Sequence, residues 1–458
     1  MFKGGIMLKS GRTPLIRARN LEKILNVGEI YLKLEGQNPT GHKNDRIAEV
    51  LVKNAMAQNK SQIIAYGSLT YIRSIIYFAE LYNLKAIVPM FKNERWKTTK
   101  FEDKYLMDFR YSKNPNKIEF IKELSDETGG FIAAEGYSNT HISQMVLENL
   151  ISEILVKVKY KLDTVTIQLG YGYTMTSLYN IFLKNWMNDN LSAFPTVYCG
   201  TWAENKSVYK KYLESNNKEY LPEDLEELST DHMPKESFQM DEKLITDTHE
   251  AVTETNGVVI AINEQELKKA SKLLKKTETI STDYKESYAL AAFIKQVEAG
   301  KIKEGKHIII LNDAKTIARV EQYEASMGIG VEKLINMTTN WLAEYRDSTL
   351  ETKEAVENAL DKGFILLASR DGEYEGICVI VNTGFDAFLP KYHLTYIGTS
   401  DKIKGRGIGS ELIQRAIDLT EGNLSLHVDL DNKGAKKVYE KYGFEHVYNR
   451  MIYKERGY

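Results

Sequence analysis

A lysine near the start of the chain lies in a turn whose neighbours restrict its conformation. Residues 31–35, YLKLE, alternate apolar and polar side chains as a strand does, and helical periodicity begins at Asp45. Pro39 and Gly41 break the pattern between these segments. Lys43 is therefore expected where a turn meets a helix N-terminus, whose free N–H groups and dipole favour an anion and an uncharged amine. An uncharged lysine can form an imine with an aldehyde, whereas a solvent-exposed lysine in a capping turn would carry no chemistry.

A second turn has residues typical of phosphate binding. The β-branched segment 163–169 predicts a strand, and residues 175–182 predict a helix. The turn between them consists of Gly170, Tyr171, Gly172, Tyr173 and Thr174. Glycines let such a turn tighten, so that its N–H groups point at phosphate oxygens and the helix dipole adds to the attraction. The two tyrosine side chains are expected to point outward.

Residues 34–46, LEGQNPTGHKNDR, resemble the lysine loop of the fold-type II pyridoxal phosphate (PLP) enzymes. This group includes threonine synthase, cysteine synthase and the tryptophan synthase β-subunit. The resemblance implies that Lys43 binds the cofactor covalently, that His42 contributes to the cofactor site, and that the 170–174 turn binds the cofactor phosphate. An ungapped alignment to the threonine synthase form instead puts Asn44 at the lysine position, and an asparagine cannot form that bond.

Three positions after the next predicted strand depart from the family pattern. Where the family has an asparagine beside the cofactor ring, this chain has Thr70, whose hydroxyl is expected to contact the phenolic oxygen of PLP. Leu69 and Ile72 stand where the family has glycine, and they add bulk where the backbone approaches the ring. The TPL element at residues 13–15 agrees with the family. The family's closing strand supplies a partner for the pyridine nitrogen, and three candidates remain open: Asn312, Asp313 and Thr316.

A third glycine-rich turn joins a predicted strand to a predicted helix in the last quarter of the chain. It consists of Lys404, Gly405, Arg406, Gly407, Ile408 and Gly409. Successive N–H groups and basic side chains in such a turn suit a pyrophosphate. The strand LSLHVDLD follows, and after it come Asn432, Ala435, Tyr439, Gly443 and Phe444. This combination, from about residue 394 to 453, resembles the GNAT acetyltransferase superfamily.

The GNAT resemblance implies roles for several residues. The backbone at 405–409 would bind the pyrophosphate of acetyl-CoA, Asn432 would help to bind the cofactor, and Tyr439 would protonate the departing CoA thiolate. A phenol suits that role because its resting pKa of about 10 keeps it protonated at neutral pH, whereas a packed core tyrosine is the alternative. The general base stays open between His393 and Asp386.

The length of the chain and the alternation of its elements indicate several domains. A chain of 458 residues is too long for one ordinary core. The sequence predicts an α/β protein with the two-subdomain open parallel sheets of fold-type II (tryptophan synthase β-like) PLP enzymes over residues 1–318. A linker over 319–334 and a C-terminal GNAT α/β domain over 335–458 are expected to follow. The superfamily's first strand is not recognisable upstream of Glu332, and residues 317–330, IARVEQYEASMGIG, are expected to form a linker helix.

The composition is typical of soluble globular proteins, with 43% hydrophobic and 27% charged residues. A net charge of −2 argues against nucleic acid or an anionic membrane as the main partner. Cys199 and Cys378 are far apart and form no CxxC motif, so neither a disulfide framework nor a zinc site is indicated, and a reducing cytoplasm is the expected location. No apolar run approaches the roughly 20 residues that a membrane helix needs.

Together these motifs predict a bifunctional amino-acid enzyme. PLP-dependent β- or γ-elimination or replacement on an amino-acid substrate would be joined to an acetyl-CoA-dependent N- or O-acetyltransferase. The alternative is a catalytically degenerate PLP-fold scaffold that presents a substrate or a partner to an active acetyltransferase. The substrate and the acetylated atom stay open, and the homodimer usual in the PLP family is the expected assembly.

Overall fold

The computed structural model describes residues 9–91, 107–114, 116–202, 208–216, 218, 241–278, 280–342, 347–370, 373–385, 387–400, 407–429 and 431–447. The chain divides into two compact units, the first ending at Thr316 and the second beginning at Ile317. Among the helices in the described ranges, none is long and apolar enough to cross a membrane.

The first unit contains two sheets. The strands of the larger sheet are β1 (Leu15–Arg17), β2 (Glu29–Leu34), β7 (Thr164–Gln168), β8 (Thr196–Thr201), β9 (Val258–Ala261) and β10 (Lys306–Leu311). They lie in the order β1-β2-β10-β7-β8-β9, with β1 antiparallel and all other neighbours parallel. The smaller sheet consists of β3 (Gln62–Tyr66), β4 (Lys85–Phe91), β5 (Met107–Ser112) and β6 (Phe131–Ala134). Its order is β5-β4-β3-β6, and every pair is parallel.

Helices cover both sheets of the first unit. They are α1 (Arg19–Leu25), α2 (Asn44–Ala57), α3 (Leu69–Leu81), α4 (Lys117–Thr128), α5 (Thr140–Lys157), α6 (Tyr173–Met187), α7 (Tyr209–Ser215), α8 (Glu242–Glu254), α9 (Glu264–Glu278) and α10 (Tyr288–Glu298). All residues of β7 are buried, and so is all of β3 after its first residue, as expected for parallel strands packed on two faces. The carboxyl ends of such strands are where the turns that can carry chemistry begin.

The second unit is built on one mixed sheet. Its strands are β11 (Arg319–Gln322), β12 (Phe364–Arg370), β13 (Glu373–Asn382), β14 (Tyr392–Thr399) and β15 (Leu424–Leu426), in that order across the sheet. Only β14 and β15 pair in parallel within the described residues. The helices are α11 (Val331–Trp341), α12 (Thr349–Asp361), α13 (Ile408–Leu419) and α14 (Lys433–Lys441).

The expectation of a linker helix at residues 317–330 is wrong, because this segment begins with strand β11. Arg319 to Gln322 pair with β12, and the carboxylate of Glu411 accepts from the N–H groups of Ile317 and Ala318 at 2.6 and 3.0 Å. A short 3-10 turn, Ala325–Met327, follows. The strand that sequence reasoning could not find upstream of Glu332 is therefore β11. It was missed because four residues at a sheet edge take their conformation from a partner strand rather than from their own periodicity.

Candidate active sites

Lys43 lies where the sequence places it, between a strand and a helix. After β2 the chain makes a 3-10 turn, Glu35–Gln37, passes Gly41 at φ +89°, and enters α2 at Asn44. The N–H of Lys43 donates to the carbonyl oxygen of Asn312 at 2.9 Å, which ties the loop to the end of β10. Only 8% of the Lys43 surface is exposed. The capping-turn alternative, a solvated lysine, does not describe this residue.

The lysine loop and the glycine-rich turn meet, although 131 residues separate their contacting side chains. Lys43 Nζ donates to Thr174 Oγ1 at 2.7 Å, and Thr174 lies in the first turn of α6. Gly172 precedes that helix at φ +89°, and a Cβ there would lie 1.9 Å from Thr248 Oγ1, so the turn requires glycine. An amine is thus held beside the N-terminal N–H groups of a helix, next to where an anion would bind.

The two tyrosines of that turn do not point outward, so this expectation is wrong. Tyr173 is buried, and its hydroxyl accepts from the N–H of Gly136 at 2.8 Å. Tyr171 packs over the same glycine, where a Cβ would lie 2.6 Å from its ring. Gly136 follows β6, so both aromatic side chains contact the end of the smaller sheet, Tyr173 fully buried and Tyr171 half-buried.

Burial favours the uncharged form of Lys43. Loss of hydration lowers its pKa from 10.5 to about 8, although the surrounding carboxylates of Glu35, Glu286 and Glu135 oppose the shift. About one molecule in ten then carries a neutral amine at pH 7, far more than for an exposed lysine. A neutral amine is the form that reacts with an aldehyde, so the site prepares Lys43 for that chemistry.

A buried ion network supports the loop from behind. The guanidinium of Arg46 donates to both carboxylate oxygens of Glu35, at 2.7 and 2.9 Å, and to those of Glu153, at 2.8 and 2.9 Å. Lys33 adds a 2.6 Å ion pair to Glu153. Burial alone would raise the pKa of Glu35, but Arg46 lowers it to about 2. The charges of the network pair with one another and position α2, so Lys43 is left as the reactive amine of the loop.

A polar cluster lies on the other side of the lysine loop. His42 Nδ1 accepts from the N–H of Asn44 at 3.1 Å, so the ring proton is on Nε2, which faces Glu286 at 3.6 Å. The side-chain amide of Asn312 donates to Gln168 at 3.0 Å and to Glu286 at 3.4 Å. Among the described residues, neither His42 Nε2 nor Asn312 Oδ1 has a hydrogen-bond partner, and both atoms are buried. A donor that is only loosely paired with Glu286 and an acceptor therefore flank the site.

The geometry distinguishes among the three candidates for the ring nitrogen. Asp313 accepts from the N–H of Asp283 at 2.7 Å and from the hydroxyl of Thr282, which draws it away from the cluster. Thr316 accepts from Gln37 at 2.5 Å. Asn312 hydrogen-bonds to Gln168 and Glu286 beside His42, whereas Asp313 acts on His42 and Glu286 through its charge alone.

The fold accommodates the residues near α3 that depart from the family pattern. Asn44 Nδ2 donates to Thr70 Oγ1 at 3.2 Å, so two of the unusual residues contact each other. Ile72 is 1% exposed and belongs to the main hydrophobic core, so its bulk does not project into the site. Leu69 is half-buried at the first position of α3.

The second unit has its own candidate site at an irregularity in β14. Val379 pairs with Tyr396, and Ile380 pairs with Leu394, so Thr395 is an extra residue opposite β13. Such a bulge leaves backbone groups outside the ladder and changes the faces of the flanking side chains. Leu394 packs in one core cluster and Tyr396 in another.

The turn after β14 is described only in part, since Lys404, Gly405 and Arg406 lie outside the described residues. Gly407 precedes α13 at φ +92°, and Ile408 is the buried first residue of that helix. A Cβ on Gly409 would meet none of the described atoms within 4 Å outside its own helix turn.

Tyr439 lies on α14, and Asn432 is the N-cap residue of the same helix. Tyr439 is 8% exposed and packs against Phe444, with ring centroids 5.9 Å apart. Burial raises the pKa of its phenol to about 12. Asn432 Oδ1 accepts from the N–H of Ala435 at 3.0 Å and caps the helix. The cofactor roles expected of both residues stay predictions.

One general-base candidate is described. His393 Nδ1 lies 2.9 Å from Ser425 Oγ, and its ring centroid is 4.5 Å from that of His427. Asp386 lies outside the described residues.

Similarity to known proteins supports a site in each of the two units. Residues 6–313 match the family described as pyridoxal-phosphate dependent enzyme, and residues 334–444 match the acetyltransferase (GNAT) family. Threonine synthase of Bacillus sp. (strain ULM1) is 23% identical over 322 residues, 66% of this chain and 82% of that protein. The 5-NmdU N-acetyltransferase of Pseudomonas phage PaMx11 is 30% identical over 100 residues, 22% of this chain and 69% of that protein. The chain belongs to the pyridoxal-phosphate-dependent enzyme family and carries a GNAT acetyltransferase domain.

A solved structure supports the fold of this PLP-family chain. Serine racemase of Dictyostelium discoideum superposes with a TM-score of 0.51 at 17% identity, covering 66% of this chain and 92% of that protein. The predicted fold-type II architecture with a C-terminal GNAT domain is thereby confirmed. Membership of the two families implies small-molecule substrates, with PLP for the first unit and an acyl-CoA for the second.

The residues of the first unit fit PLP. A buried amine of lowered pKa lies 2.7 Å from a threonine at the start of α6, and Gly172 before that helix has a φ of +89°. Among the described residues, His42 Nε2 and Asn312 Oδ1 supply a donor and an acceptor without a hydrogen-bond partner. A ligand with an aldehyde, an anionic group and a protonated ring nitrogen would find a partner for each of these groups here.

Sequence reasoning missed Glu286 and Gln168 as members of the site. Glu286 lies in the 3-10 turn Tyr284–Glu286, and Gln168 is the last residue of β7. The position of Gln168 at a strand end was a usable signal, because ligands of parallel sheets bind at the carboxyl ends of strands. Glu286 carried no local signal.

Proposed function

We propose that the chain is a bifunctional enzyme that performs PLP-dependent β- or γ-elimination or replacement and acetyl-CoA-dependent N-acetylation. The 2.7 Å contact between Lys43 Nζ and Thr174 Oγ1 supports the first activity most directly. It brings a reactive amine to the anion-binding end of α6, which is the arrangement that a phosphorylated aldehyde requires.

Each residue of the lysine site has a distinct role in this proposal. Lys43 would hold PLP covalently, residues 170–174 would bind its phosphate through N–H groups, and Thr70 would contact its phenolic oxygen. The NH₂ group of Asn312 donates to Gln168 and Glu286, which fixes the orientation of the amide and leaves Oδ1 as a hydrogen-bond acceptor. Asn312 Oδ1 would therefore bind a protonated ring nitrogen. His42 Nε2–H, which faces Glu286 at 3.6 Å without a hydrogen bond, would contact an acceptor of the bound group.

PLP, when bound, supplies an electron sink for negative charge at the substrate Cα. The amine of Lys43, displaced from the cofactor by the substrate amino group, would take the proton from Cα, and a leaving group on Cβ or Cγ would depart. The lowered pKa of Lys43 keeps a useful fraction of that amine free to accept the proton at neutral pH. Relatives named threonine synthase and cysteine synthase support this reaction class.

For the second unit we favour nitrogen as the acetylated atom. The phage relative, 30% identical over 100 residues, is an N-acetyltransferase by name, and 5-NmdU in that name is a suitable first acceptor to test. Tyr439 would hold the proton that the departing thiolate of CoA receives, and the first turn of α13 would bind pyrophosphate. One chain that carries both activities raises the local concentration of an amine product at the second site.

An absorption titration with PLP tests the first activity. We expect wild-type protein to develop the visible band of lysine-bound PLP, and Lys43→Ala to lack it. Lys23→Ala, a change at an exposed lysine of α1, is the matched control and should behave like wild type. If neither wild type nor control develops the band, the first unit is a scaffold without PLP chemistry, and acetyl-CoA turnover remains as the activity of the chain.

A further inference from the structure

A carboxylate lies directly behind the amide that would bind the ring nitrogen of PLP. Glu286 Oε2 accepts from the NH₂ group of Asn312 at 3.4 Å, and the same oxygen lies 3.6 Å from His42 Nε2. Only 21% of the Glu286 side chain is exposed. The NH₂ group of Asn312 also donates to Gln168 at 3.0 Å, which fixes the amide with its nitrogen toward the carboxylate. A group bound by Asn312 Oδ1 would therefore have this carboxylate one amide away.

Glu286 carries its negative charge at neutral pH. Burial alone would raise its pKa, but the nearby His42, Asn312 and Lys43 outweigh burial and lower it. Burial lowers the pKa of His42, and Glu286 more than offsets this effect. His42 Nδ1 nevertheless accepts from the N–H of Asn44 at 3.1 Å, and a second proton on the ring would break that bond. The imidazole is thus favoured in its neutral form, and the charge of Glu286 is not cancelled.

The other titratable groups around Glu286 bring no opposing positive charge. Asp313, two residues after β10, has a pKa raised to about 6 by burial and by Glu286, and it is still mostly ionised at pH 7. Burial raises the pKa of Glu135, directly after β6, and of the phenol of Tyr288, at the start of α10, and Glu286 adds to both shifts. The amine of Lys43 would itself be bound to PLP. A cation at the ring nitrogen is therefore favoured.

We propose that Glu286 keeps the ring nitrogen of PLP protonated, acting through Asn312 as a positioning residue. This inference rests on the proposed PLP function and adds a residue to it. The oxygen of a neutral amide can accept the N–H of a protonated ring, but the charge that stabilises this proton comes from Glu286. A protonated ring withdraws electrons more strongly than a neutral one, so the carboxylate would strengthen the electron sink that elimination or replacement requires.

Nitrogen NMR tests this on the full-length protein loaded with PLP that is labelled with nitrogen-15 in the ring. Protonated and neutral ring nitrogens give well-separated signals, and we expect the protonated signal from wild type at pH 7. Glu286→Gln keeps the shape of the side chain and removes its charge, and it should lower the apparent pKa of the ring nitrogen by about one unit or more, a tenfold change. Glu286→Asp retains the charge and should keep most of the wild-type signal.

Glu264→Gln is the matched control. Glu264 accepts from the hydroxyl of Tyr284 at 3.2 Å, in the 3-10 turn that also contains Glu286, so its removal disturbs that turn but leaves the contacts of Glu286 with His42 and Asn312 in place. The ring nitrogen should titrate in this control as in wild type.

Glu286→Ser is a second variant without the charge, and at least one of the two, Glu286→Gln or Glu286→Ser, should retain the wild-type circular dichroism and bind PLP. If neither variant yields folded protein that binds PLP, the carboxylate is a structural group and the inference is overturned.

The outcomes separate this inference from the proposed function. A neutral ring nitrogen in PLP-loaded wild type overturns the inference and leaves the PLP function standing. The same holds if the ring nitrogen titrates identically in Glu286→Gln and wild type, if Glu286→Asp behaves like Glu286→Gln, or if Glu264→Gln causes an equal shift. Failure of wild type to bind PLP overturns the proposed function, and the inference with it.

Discussion

Lys43 and Tyr439, one in each unit, are both buried titratable groups, and burial changes their chemistry in complementary ways. Loss of hydration disfavours the charged form of either group, so the pKa of Lys43 falls to about 8 and that of Tyr439 rises to about 12. The first change releases a lone pair on nitrogen near neutral pH, and the second retains a proton on oxygen. One physical cause thus favours the uncharged form of both groups, which is the form that the role proposed for each of them requires.

The surroundings of the two groups differ. Lys43 lies among paired and unpaired polar groups drawn from distant segments, whereas Tyr439 packs in an apolar cluster with Cys378 and Phe444. Buried charges must be paired, so the first site depends on an ion network that the second does not need. The difference predicts that charge removal damages the first unit far more than the second.

The largest expected effect comes from Arg46→Met. This change leaves Glu35, which is fully buried, and Glu153 without their guanidinium partner, and we expect the free energy of unfolding of the first unit to fall by about 3–5 kcal/mol. Urea unfolding, followed through the transition of that unit, measures the loss. In the second unit, Arg370→Met removes a more exposed pair with Glu375 and should cost at most about 1 kcal/mol. Equal losses in the two variants would contradict the comparison.

The next largest effect is that of Lys43→Met, which should raise the free energy of unfolding instead of lowering it. The amine has a pKa of about 8 in the folded protein and 10.5 in the unfolded chain, so the unfolded state binds its proton more tightly. At pH 7 this disfavours folding by about 3 kcal/mol, and the penalty is relieved as pH rises from 8 to 10.5. Lys43→Met should therefore stabilise the PLP-free first unit near pH 7, with a gain that vanishes above pH 10.5.

Denaturant unfolding of both proteins between pH 6 and 10.5 checks the sign and the window of this effect. Lys23→Met, at an exposed lysine, should show no such pH-dependent difference from wild type. A Lys43→Met protein that is less stable than wild type at pH 7 would show that the contact with Thr174 outweighs the burial of charge.

Tyr439→Phe tests the acid in the second unit. We expect acetyl-CoA turnover with an acceptor amine to fall about 100-fold, the usual effect of removing a general acid, and the thermal unfolding temperature to change little because the ring stays. Since the phenol has a pKa of about 12, wild-type turnover should show no loss attributable to Tyr439 between pH 6 and 9. Tyr442→Phe, three residues along the chain, is the control. A loss of turnover of less than threefold in Tyr439→Phe would show that Tyr439 serves only in packing.

The two sites also show which structural features could be predicted from the sequence. Elements that follow one another along the chain were predicted well: the strand, turn and helix around Lys43, and the series from β14 through α14, both carry their signals locally. Lys43 and Thr174 were each named from a motif of their own, but their direct contact was not predicted and is visible only in the fold.

Apart from Gln168, whose position at a strand end was a usable signal, the features that were missed had no local signal or had a misleading one. Glu286 enters the site only because the fold brings separate strands and turns together, and a glutamate is unremarkable in a polar turn. Tyr173 was expected outside because tyrosine is unusual in a phosphate turn, but its hydroxyl found a partner in the N–H of Gly136. Strand β11 was read as helix because its pairing with β12 lies 40 or more residues away.

The smallest expected effect separates two roles of Asn432 in the second unit. Its side chain caps α14, so Asn432→Ala should cost about 1 kcal/mol of unfolding free energy, whether or not the residue touches a cofactor. Asn432→Asp keeps an equivalent cap but replaces the amide donor with a negative charge, which should leave stability unchanged. Calorimetric titration of the Asp variant with CoA then isolates the binding role: a loss of about tenfold or more in affinity supports contact with the cofactor, and an unchanged affinity makes Asn432 a capping residue alone.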